Sequence, residues 1–392
     1  MKILHTSDWH LGRRPVGGVG KFSDIRFNDY FESARWVVEK AIEEKIDLIL
    51  ISGDLFDKSN ILPEVFDRTI EILQMAKENG IKIFAVEGNH DRVFQSYSWL
   101  KSLDKMGYLK LLDYKNDGMY EFEGYNFYGL PYNGLPEEYF KESLKNIETK
   151  SNNIFVIHTA INSSDYLIPG IISKEQADRL GEKFDYIAGG HFHYYSFYPQ
   201  KSPFFFVPGS PEYCDLYERD EKGIIIYDTE KSKHTFIPSK KRKVHRLTLE
   251  LRNNDELLEE VKKLTHKNSV NEEDILILNI KASDTYNYIS VEELENDLSK
   301  EIRALKIIIV GIDYYGENVI SVSDITKNKI EEIEKSVITQ KWKNIFSFNA
   351  EKTVKFTEEL KRIVIDQRDE SEIYEITDKF LSSLLGDSGN VD

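Results

Sequence analysis

Five short hydrophobic runs in this sequence each end at residues that can bind a divalent metal ion or move a proton. The runs are rich in Ile, Val, Leu or aromatic residues and are followed by Gly or polar residues, so we predict buried strands. They cover Lys2 to Thr6, Asp47 to Ser52, Ile81 to Val86, Ile154 to Ile157 and Asp185 to Ala188. Ligands collect where such strands end, because the strand fixes side chains that the loop leaves open to solvent. The sequence therefore predicts one site assembled from five strand ends.

The residues at the strand ends form a donor set suited to two metal ions. The motifs are Asp8-Trp9-His10, Gly53-Asp54, Gly88-Asn89-His90-Asp91, His158 and Gly190-His191-Phe192-His193. Donors two residues apart project to one side of an extended segment. Asp54 has two carboxylate oxygens, which can bridge two cations. The mixture of imidazole, carboxylate and amide donors suits Mn, Fe, Zn or Ni better than Ca and is typical of a two-metal hydrolase.

The order of these motifs, D-x-H, G-D, G-N-H-[DE], H and G-H-x-H, resembles that of the calcineurin-like metallophosphoesterases. The opening from Leu4 to Gly12, with Gly53 to Asp57 and Pro208 to Glu212, resembles more narrowly the SbcD nuclease family. That family is the prokaryotic counterpart of the meiotic-recombination-eleven nuclease of double-strand-break repair. The resemblance implies an α/β fold in which helices pack on two central sheets, with a small α+β capping domain and a helical C-terminal tail.

The resemblance also implies a role for each predicted site residue. The implied ligands of the first ion are Asp8, His10, Asp54 and His193. The implied ligands of the second ion are Asp54, Asn89, His158 and His191, so that Asp54 bridges. His90 is expected to face the scissile phosphate and either to stabilise charge or to protonate the leaving oxygen, and Asp91 is expected to orient the His90 ring. Some archaeal members carry a histidine three residues after the bridging aspartate, where this sequence has Asp57.

The activity implied by the resemblance is hydrolysis of DNA phosphodiesters with two Mn²⁺ ions, or with Mg²⁺ or other divalent ions. Double strands would be degraded from 3′ to 5′ and single strands cut internally. A phosphatase or cyclic-nucleotide phosphodiesterase on the same core is the closest rival, and it leaves the capping domain and tail without a function. A non-catalytic docking subunit is the second rival, and the complete ligand set with His90 argues against it.

The family implies two kinds of protein partner, a second copy of the chain and an SbcC-type SMC-like coiled-coil ATPase. The homodimer contact would use the helix that begins at Pro63 and the helix near Tyr97 to Met106. The ATPase would bind the C-terminal tail. Simple core packing of both helices, and a self-contained helical bundle in the tail, are the plainer alternatives.

Composition limits where the protein acts and how it reaches DNA. The 392 residues include 52 Lys and Arg against 68 Asp and Glu, which gives a net charge of −16. Duplex recognition draws much of its affinity from basic side chains, so this acidity favours local patches or a basic partner. The candidate patches are Arg13-Arg14 and Lys240 to Lys243. One cysteine and the lack of an apolar run of about 18 residues favour a cytoplasmic, nucleoid-associated protein without membrane contact.

The motifs and the periodicity predict three domains, over 1–240, 241–326 and 327–392. The resemblance implies that they are a nuclease domain, a DNA-capping domain and a tail that binds the ATPase. The capping domain is predicted as strand Val244 to Leu251, helix Asp255 to His266, strand Ile275 to Lys281, helix Val291 to Ala304 and strand Leu305 to Ile312. The tail carries apolar stripes at helical spacing. They consist of Ile330, Ile333 and Val337, then Leu360, Ile363 and Val364, then Ile373, Ile376, Phe380 and Leu384.

Overall fold

The computed structural model describes residues 1–15, 20–92, 97–145, 147, 152–162, 169–251, 256–283 and 291–315, and, near the end, 355–357, 359, 376–377 and 379–380. The strands are β1 (Lys2–Thr6), β2 (Leu48–Ile51), β3 (Lys82–Ala85), β4 (Lys110–Leu111), β5 (Tyr120–Phe122), β6 (Tyr125–Leu130), β7 (Asn153–Ile157), β8 (Tyr186–Ala188), β9 (Ser196–Tyr198), β10 (Phe205–Val207), β11 (Gly223–Asp228), β12 (Lys233–Pro238), β13 (Val244–Leu251), β14 (Ile275–Ser283) and β15 (Lys306–Tyr315). The helices are α1 (Lys21–Glu43), α2 (Pro63–Glu78), α3 (Trp99–Lys105), α4 (Tyr114–Asp117), α5 (Pro136–Ser143), α6 (Lys174–Gly181), α7 (Leu257–Lys267) and α8 (Val291–Glu301). All five predicted ligand-bearing strands are therefore confirmed, with small differences at their ends.

Two six-stranded sheets carry the ligand-bearing strands. The first sheet has the order β12-β11-β1-β2-β3-β4, and the second has the order β5-β6-β7-β8-β10-β9. In the first sheet, β1 to β4 are parallel and β11 is antiparallel to β1. In the second sheet, β6, β7, β8 and β10 are parallel. Parallel strands place their carboxyl ends at one edge, so the motifs that follow β1, β2 and β3 lie side by side.

The two sheets pack face to face, and helices cover their outer faces. Side chains alternate across each strand. In β1, Ile3 therefore contacts the core between the sheets while Leu4 contacts the helical side. The four residues of β2 are completely buried, and each such side chain contributes about 1.5–3 kcal/mol relative to an exposed one. The result is the predicted α/β sandwich. Its buried core holds the strand ends in fixed positions.

The first two helices are amphipathic and bury one face each. The inward face of α1 includes Phe27, Phe31 and Val38, and α2 begins with Pro63 in its first turn. Proline suits this position because its missing N–H is not needed there and its φ angle is already helical. Both helices pack into the core on the outer face of the first sheet. Of the described helices, none is long and apolar enough to cross a lipid bilayer.

A third sheet, with the order β13-β14-β15, follows the sandwich and is accompanied by α7 and α8. These five elements confirm the predicted strand-helix-strand-helix-strand order. The helices present apolar faces, on which Val261 and Leu298 are buried. They bear acidic residues in their first turns and basic residues in their last turns, which favours the helix dipole.

The chain divides into two compact units. The first comprises Met1–Leu249, Leu257–Asn279 and Ile289–Gly311, and the second comprises Glu250–Glu256, Ile280–Tyr288 and Ile312–Asp392. In the second unit, the rings of Phe356 and Phe380 stack with centroids 4.2 Å apart. Most of the three predicted tail stripes lies outside the described residues. The borders proposed at 240 and 326 therefore stay predictions.

Candidate metal centre

The predicted ligands meet because their strands end at one place and the backbone then turns sharply. Asp8, His10, Asp54 and His191 all adopt positive φ angles, between 46° and 77°. Such conformations cost free energy for residues other than glycine and are concentrated at functional sites. Pairing between the chain segments continues past β1 and β2, since the Asp8 amide donates to the Gly53 carbonyl at 3.0 Å. The turns therefore aim the ligands at a common space while the backbone stays fixed.

Two glycines keep this space open for the ligand side chains. Gly53 has a φ angle of 95°, and a Cβ atom there would collide with the His158 ring. A Cβ atom at Gly88 would collide with the Asp54 carboxylate. The predicted G-D and G-N-H motifs thus need glycine for close packing between neighbouring strand ends.

One group of donor atoms surrounds the first predicted ion position. His10 Nε2 and His193 Nε2 are 3.2 Å apart. Asp8 Oδ1 lies 3.9 Å from His10 Nε2 and 4.0 Å from His193 Nε2. Asp54 Oδ2 lies 3.8 Å from His10 Nε2. Ligand atoms about 2.0–2.2 Å from one ion lie roughly 3–4 Å apart, so these four side chains fit a shared cation.

The second group of donor atoms shares Asp54 with the first. His158 Nε2 and His191 Nδ1 each lie 3.0 Å from Asn89 Oδ1. The two ring nitrogens are 3.3 Å apart, and His158 Nε2 is 3.3 Å from Asp54 Oδ2. Asp54 Oδ2 therefore borders both groups. The structure brings together all seven side chains named as ligands from the sequence.

The chemistry of the two groups fits divalent cations. Asp8 Oδ1 is fully buried and has no hydrogen-bond partner among the described residues. A buried carboxylate oxygen without a partner is costly, and a bound cation would satisfy it. Burial lowers the pKa of His191 to about 4, helped by the neighbouring His158, which keeps this ring neutral and able to bind a metal. The residues thus fit a pair of divalent ions held by nitrogen and oxygen.

Hydrogen bonds to Nδ1 of His158 and of His193 determine which nitrogen of each ring is available to a metal ion. His158 Nδ1 lies 2.8 Å from the Ser52 carbonyl, and His193 Nδ1 lies 2.9 Å from Glu218 Oε1. A carbonyl or a carboxylate can accept but not donate, so Nδ1 carries the proton in both rings. In each ring Nε2 is then the nitrogen that can bind an ion, as a metal ligand requires.

His90 stands at the open side of the centre. Its side chain is 38% exposed, more than His10, His158 or His193, and its Nε2 lies 4.0 Å from Asp54 Oδ2. Its Nδ1 donates to the Asp57 carbonyl at 2.6 Å, and its ring packs edge-on against His10. The ring is thus held with Nε2 available to a substrate.

The structure changes the role expected for Asp91. The contact that orients the His90 ring comes from the Asp57 carbonyl, not from Asp91. The buried Asp91 carboxylate accepts the backbone N–H groups of Leu55, Phe56 and Gly88, at 2.9 to 3.2 Å. Burial, with the nearby Asp54, raises the pKa of Asp91 to about 7. Asp91 therefore ties the loop after β2 to the loop after β3, and its effect on His90 is indirect.

Asp57, three residues after Asp54, supports the site from behind. Its Oδ1 accepts from Arg13 Nη1 at 2.8 Å and lies 3.5 Å from His10 Nδ1. Burial opposes ionisation, but His10 and Arg13 lower the pKa of Asp57 overall. A second catalytic histidine at this point is therefore replaced by a carboxylate that faces the His10 ring.

Glu218 is a functional candidate that the sequence did not reveal. It contacts His193 Nδ1 and is itself held by Lys222, whose Nζ lies 2.8 Å from Glu218 Oε2 and donates to the His193 carbonyl. Burial opposes ionisation, yet the His193 and Lys222 contacts lower the pKa of Glu218 to about 2. It follows no strand and no motif spacing, so sequence inspection alone offers no signal for it.

The candidate basic patches are largely engaged within the protein. Arg13 binds Asp57, Arg14 binds Asp24 at 2.7 Å, and Arg242 binds Asp29 through two nitrogens at 2.7 and 2.9 Å. Lys241 lies over the Tyr213 ring. These contacts reduce the positive charge that the patches offer to DNA.

Residues 1–195 match the family model of the calcineurin-like phosphoesterases. This stretch contains every predicted ligand, and the chain belongs to that class of metal-dependent phosphoesterases. Within the class it is a homologue of the Mre11 proteins, in the SbcD/Mre11 family. The family resemblance predicted from the motifs is thereby confirmed.

Two of these relatives are archaeal and match most of the chain. A DNA double-strand break repair protein Mre11 of Sulfurisphaera tokodaii is 29% identical over 285 residues, which are 69% of this chain and 70% of the relative. The Mre11 protein of Archaeoglobus fulgidus is 25% identical over 343 residues, covering 78% of this chain and 73% of the relative. Among solved structures, the calcineurin-like phosphoesterase YfkN from Bacillus subtilis is similar over 69% of this chain and 97% of that one, with 14% identity and a TM-score of 0.36.

Proposed function

We propose that this protein is a two-metal DNA nuclease that acts in double-strand-break repair. The observation that carries the proposal is the shared Asp54 oxygen between two complete donor groups, with His90 exposed beside them. The Mre11 relatives, which are named as double-strand break repair proteins, support DNA as the substrate.

The chain's own residues hold the ions and handle the leaving group. Asp8, His10 and His193 would hold one ion, Asn89, His158 and His191 would hold the other, and Asp54 would be available to both. Two bound divalent ions would polarise the phosphodiester and lower the pKa of a water molecule. His90 donates a proton from Nε2 to the departing oxygen, while its Nδ1 stays bonded to the Asp57 carbonyl. We propose Mn²⁺ as the working ion, as the family resemblance implies, and the imidazole, carboxylate and amide donors are compatible with it.

We further propose 3′-to-5′ exonuclease activity on duplex ends and endonuclease activity on single strands, as the family resemblance implies. The activity belongs at the nucleoid in the cytoplasm, where such DNA ends arise. A strongly acidic chain in which Arg13 and Arg242 are engaged in internal ion pairs is a poor independent binder of duplex DNA. A partner that supplies positive charge is therefore part of the proposal.

The proposed partner is an SbcC-type SMC-like coiled-coil ATPase, bound by the tail over 327–392. The apolar stripes at helical spacing support this, because an amphipathic helix is suited to a groove on another protein. We also propose a homodimer through α2 and α3. Three exposed apolar residues support it, since Leu62 precedes α2 and Tyr97 and Met106 flank α3.

A cleavage assay on three substrates tests the proposed activity. Linear duplex DNA, single-stranded DNA and bis(p-nitrophenyl) phosphate are each incubated with Mn²⁺, with Mg²⁺ and with a chelator. We expect Mn²⁺-dependent cleavage of both DNA forms, and single nucleotides released from the 3′ end of a duplex labelled at its 5′ end. Hydrolysis confined to the small ester would refute the nuclease proposal and leave a phosphodiesterase of small molecules. No hydrolysis of any substrate, with two ions bound, would favour a docking subunit.

A further inference from the structure

A cavity lies at the end of the first sheet opposite the metal centre. It has a volume of about 210 Å³ and is lined by the last turn of α2, by β5, and by the segments that lead into β3 and β4. The metal ligands follow the carboxyl ends of β1, β2 and β3, whereas this cavity adjoins the amino ends of β3 and β4. It is therefore separate from the two-metal site.

Three lysines and no carboxylate line this cavity. They are Lys77, Lys82 and Lys110, of which the first two are exposed. None of the three forms an ion pair with a residue that the structure describes, whereas Lys231 and Lys263 each pair with an acidic residue three positions away. Like charges gathered without counterions create a positive potential that attracts anions. The cavity is thus a local positive site on a protein whose net charge is −16.

Aromatic rings line the same cavity, next to the lysines. Lys77 Nζ lies 4.9 Å from the centre of the Tyr108 ring. Lys110 Nζ lies 5.7 Å from the centre of the Tyr120 ring, which is 41% exposed and packs edge-on against Phe84. Proteins bind single-stranded nucleic acid with this combination, because the positive groups contact phosphates while the rings stack on bases.

We propose that this cavity is a second contact site for single-stranded DNA, away from the metal centre. Lys77, Lys82 and Lys110 hold the phosphates, and Tyr120 stacks on a base. The inference goes beyond the proposed cleavage reaction and rests on it only for the choice of DNA as the ligand. The lysines are scattered in the sequence, so no basic run marks the site. An acidic peptide is the competing ligand, and it would leave the aromatic rings without a stacking partner.

The test is the fluorescence anisotropy of a labelled thymidine oligonucleotide titrated with the full-length protein in the presence of a chelator. The combined variant Lys77→Ala, Lys82→Ala and Lys110→Ala is expected to bind more weakly. The slope of log affinity against log salt should decrease in magnitude by about two, since each phosphate contact to a single strand contributes about 0.7. Tyr120→Ala is expected to bind roughly 5- to 150-fold more weakly. An abasic oligonucleotide of the same length should bind Tyr120→Ala and the wild type equally.

The matched control removes three exposed lysines elsewhere and makes the same change in net charge. It combines Lys231→Ala, Lys263→Ala and Lys300→Ala and is expected to bind like the wild type. An equal loss of affinity in this control would overturn the inference, as would a labelled polyglutamate peptide that binds the wild type as tightly as the oligonucleotide.

The binding test is independent of cleavage, because the chelator removes divalent ions. A wild-type protein that does not bind the oligonucleotide overturns the inference, while Mn²⁺-dependent cleavage still decides the proposed function separately. Circular dichroism checks the fold of each variant. If the lysine variant does not fold, Tyr120→Ala decides the matter, since it changes an exposed side chain on an edge strand, and unchanged oligonucleotide affinity in that variant overturns the proposed site.

Discussion

Asp54 is the residue on which both ion positions depend. Its Oδ2 lies 3.3 Å from His158 Nε2 and 3.8 Å from His10 Nε2, and its Oδ1 accepts the backbone N–H of His90 at 2.8 Å. Although burial opposes ionisation, His158, His10 and His90 together lower the pKa of Asp54. The carboxylate is thus charged, shared and fixed from three directions.

Asp54→Asn is expected to abolish cleavage and to reduce the bound ions from two per chain to one or none. The amide keeps the shape of the side chain but removes the charge that both cations share. Metal content by mass spectrometry and the circular dichroism spectrum measure the two effects separately. Asp117→Asn, at an exposed aspartate on α4, is the matched control and should behave like wild type. Wild-type activity in Asp54→Asn would defeat the shared-ligand assignment.

His90→Ser separates proton transfer from metal binding. Because His90 lies beside the donor groups and bonds to a backbone carbonyl, the variant is expected to retain two ions. The rate should fall by about two to four orders of magnitude, the range usual for one proton-transfer or charge-stabilising group. Single-turnover cleavage and metal content are measured on the same samples. A variant with one ion missing would show that His90 is a ligand.

Glu218→Gln tests the carboxylate behind His193. The amide can present its NH₂ group to Nδ1 and so favour the wrong tautomer, and we expect about 10–100-fold weaker binding at one of the two ion positions. Calorimetric titration with Mn²⁺ resolves the two positions. Glu221→Gln, three residues further along and exposed, is the control. Equal affinities in the two variants would mean that Glu218 serves the fold alone.

The ligands were predictable because each follows a buried strand, whereas their supporting residues were not. Glu218 lies on an irregular segment 25 residues after His193 in the sequence, and folding alone brings them together. The contact predicted between Asp91 and the His90 ring is wrong for a related reason. Its position next to His90 suggested an interaction with that ring, yet its carboxylate turns toward the backbone N–H groups of another loop. Adjacency in sequence does not fix the direction of a side chain at a turn.

At the scale of the elements, β1 carries a histidine whose burial disfavours its protonated form. His5 is fully buried, with Nδ1 at 3.0 Å from the Tyr186 hydroxyl and Nε2 at 2.9 Å from the Ser52 hydroxyl and 3.0 Å from the Gly189 carbonyl. Burial lowers the pKa of His5 to about 3, despite the favourable Gly189 contact. This ring joins β1 to β2 and β8 in its neutral form.

The free energy of unfolding is therefore expected to decrease as the pH is lowered, because of the titration of His5. Between pH 6.5 and about 3 the unfolded chain binds more protons at this residue than the folded protein, so acid favours unfolding. The contribution at pH 4.5 is about 2–3 kcal/mol relative to pH 7. Urea unfolding with a chelator at both pH values measures it, and His5→Asn should show a smaller loss by that amount. The exposed control His266→Asn should lose as much stability as wild type between pH 7 and pH 4.5. The assignment would be contradicted if His5→Asn lost as much stability as wild type, or if His266→Asn lost less.

Apolar periodicity predicts a helix or strand where apolar residues form its buried face. It does not predict the parts of an element that are buried through polar contacts. Apolar residues at helical spacing mark the first helix only from Phe27 onward, but the helix begins at Lys21. Its first turns are held by Arg26, whose buried guanidinium binds Asp29 and Glu212 and so carries no apolar signal. Short strands such as β9, of three half-buried residues, also gave no alternating pattern long enough to recognise.

At the scale of the whole molecule, a chain of charges connects the sandwich to the segment that follows it. Arg26 and Arg242 share Asp29, and Arg26 also binds Glu212. Arg246, on β13, donates to the carbonyls of Leu216 and Glu218. The segment after the sandwich is therefore bonded to the loop that positions His193, and the net charge of −16 is partly organised around these arginines.

Removal of residues 327–392 is expected to separate the proposed activity from the proposed partner. Since every ligand lies between Asp8 and His193, Mn²⁺-dependent cleavage of simple DNA should remain near the wild-type rate. Binding to the SMC-like ATPase and stimulation by ATP should be lost. Co-purification and cleavage with and without ATP measure these effects, and circular dichroism checks the fold. Full-affinity binding by the truncated protein would refute the assignment of the tail.

The position of β1 determines the order in which this enzyme can be completed during synthesis. The strand that precedes Asp8 and His10 is synthesised before the other strands of the sandwich, but it lies between β2 and β11, and β11 ends at Asp228. The last ligand, His193, also comes from the middle of the chain. A growing polypeptide shorter than this has the first two ligands without the strand that encloses them or the partners that complete the site. The complete site is therefore expected to form only after the sandwich has closed.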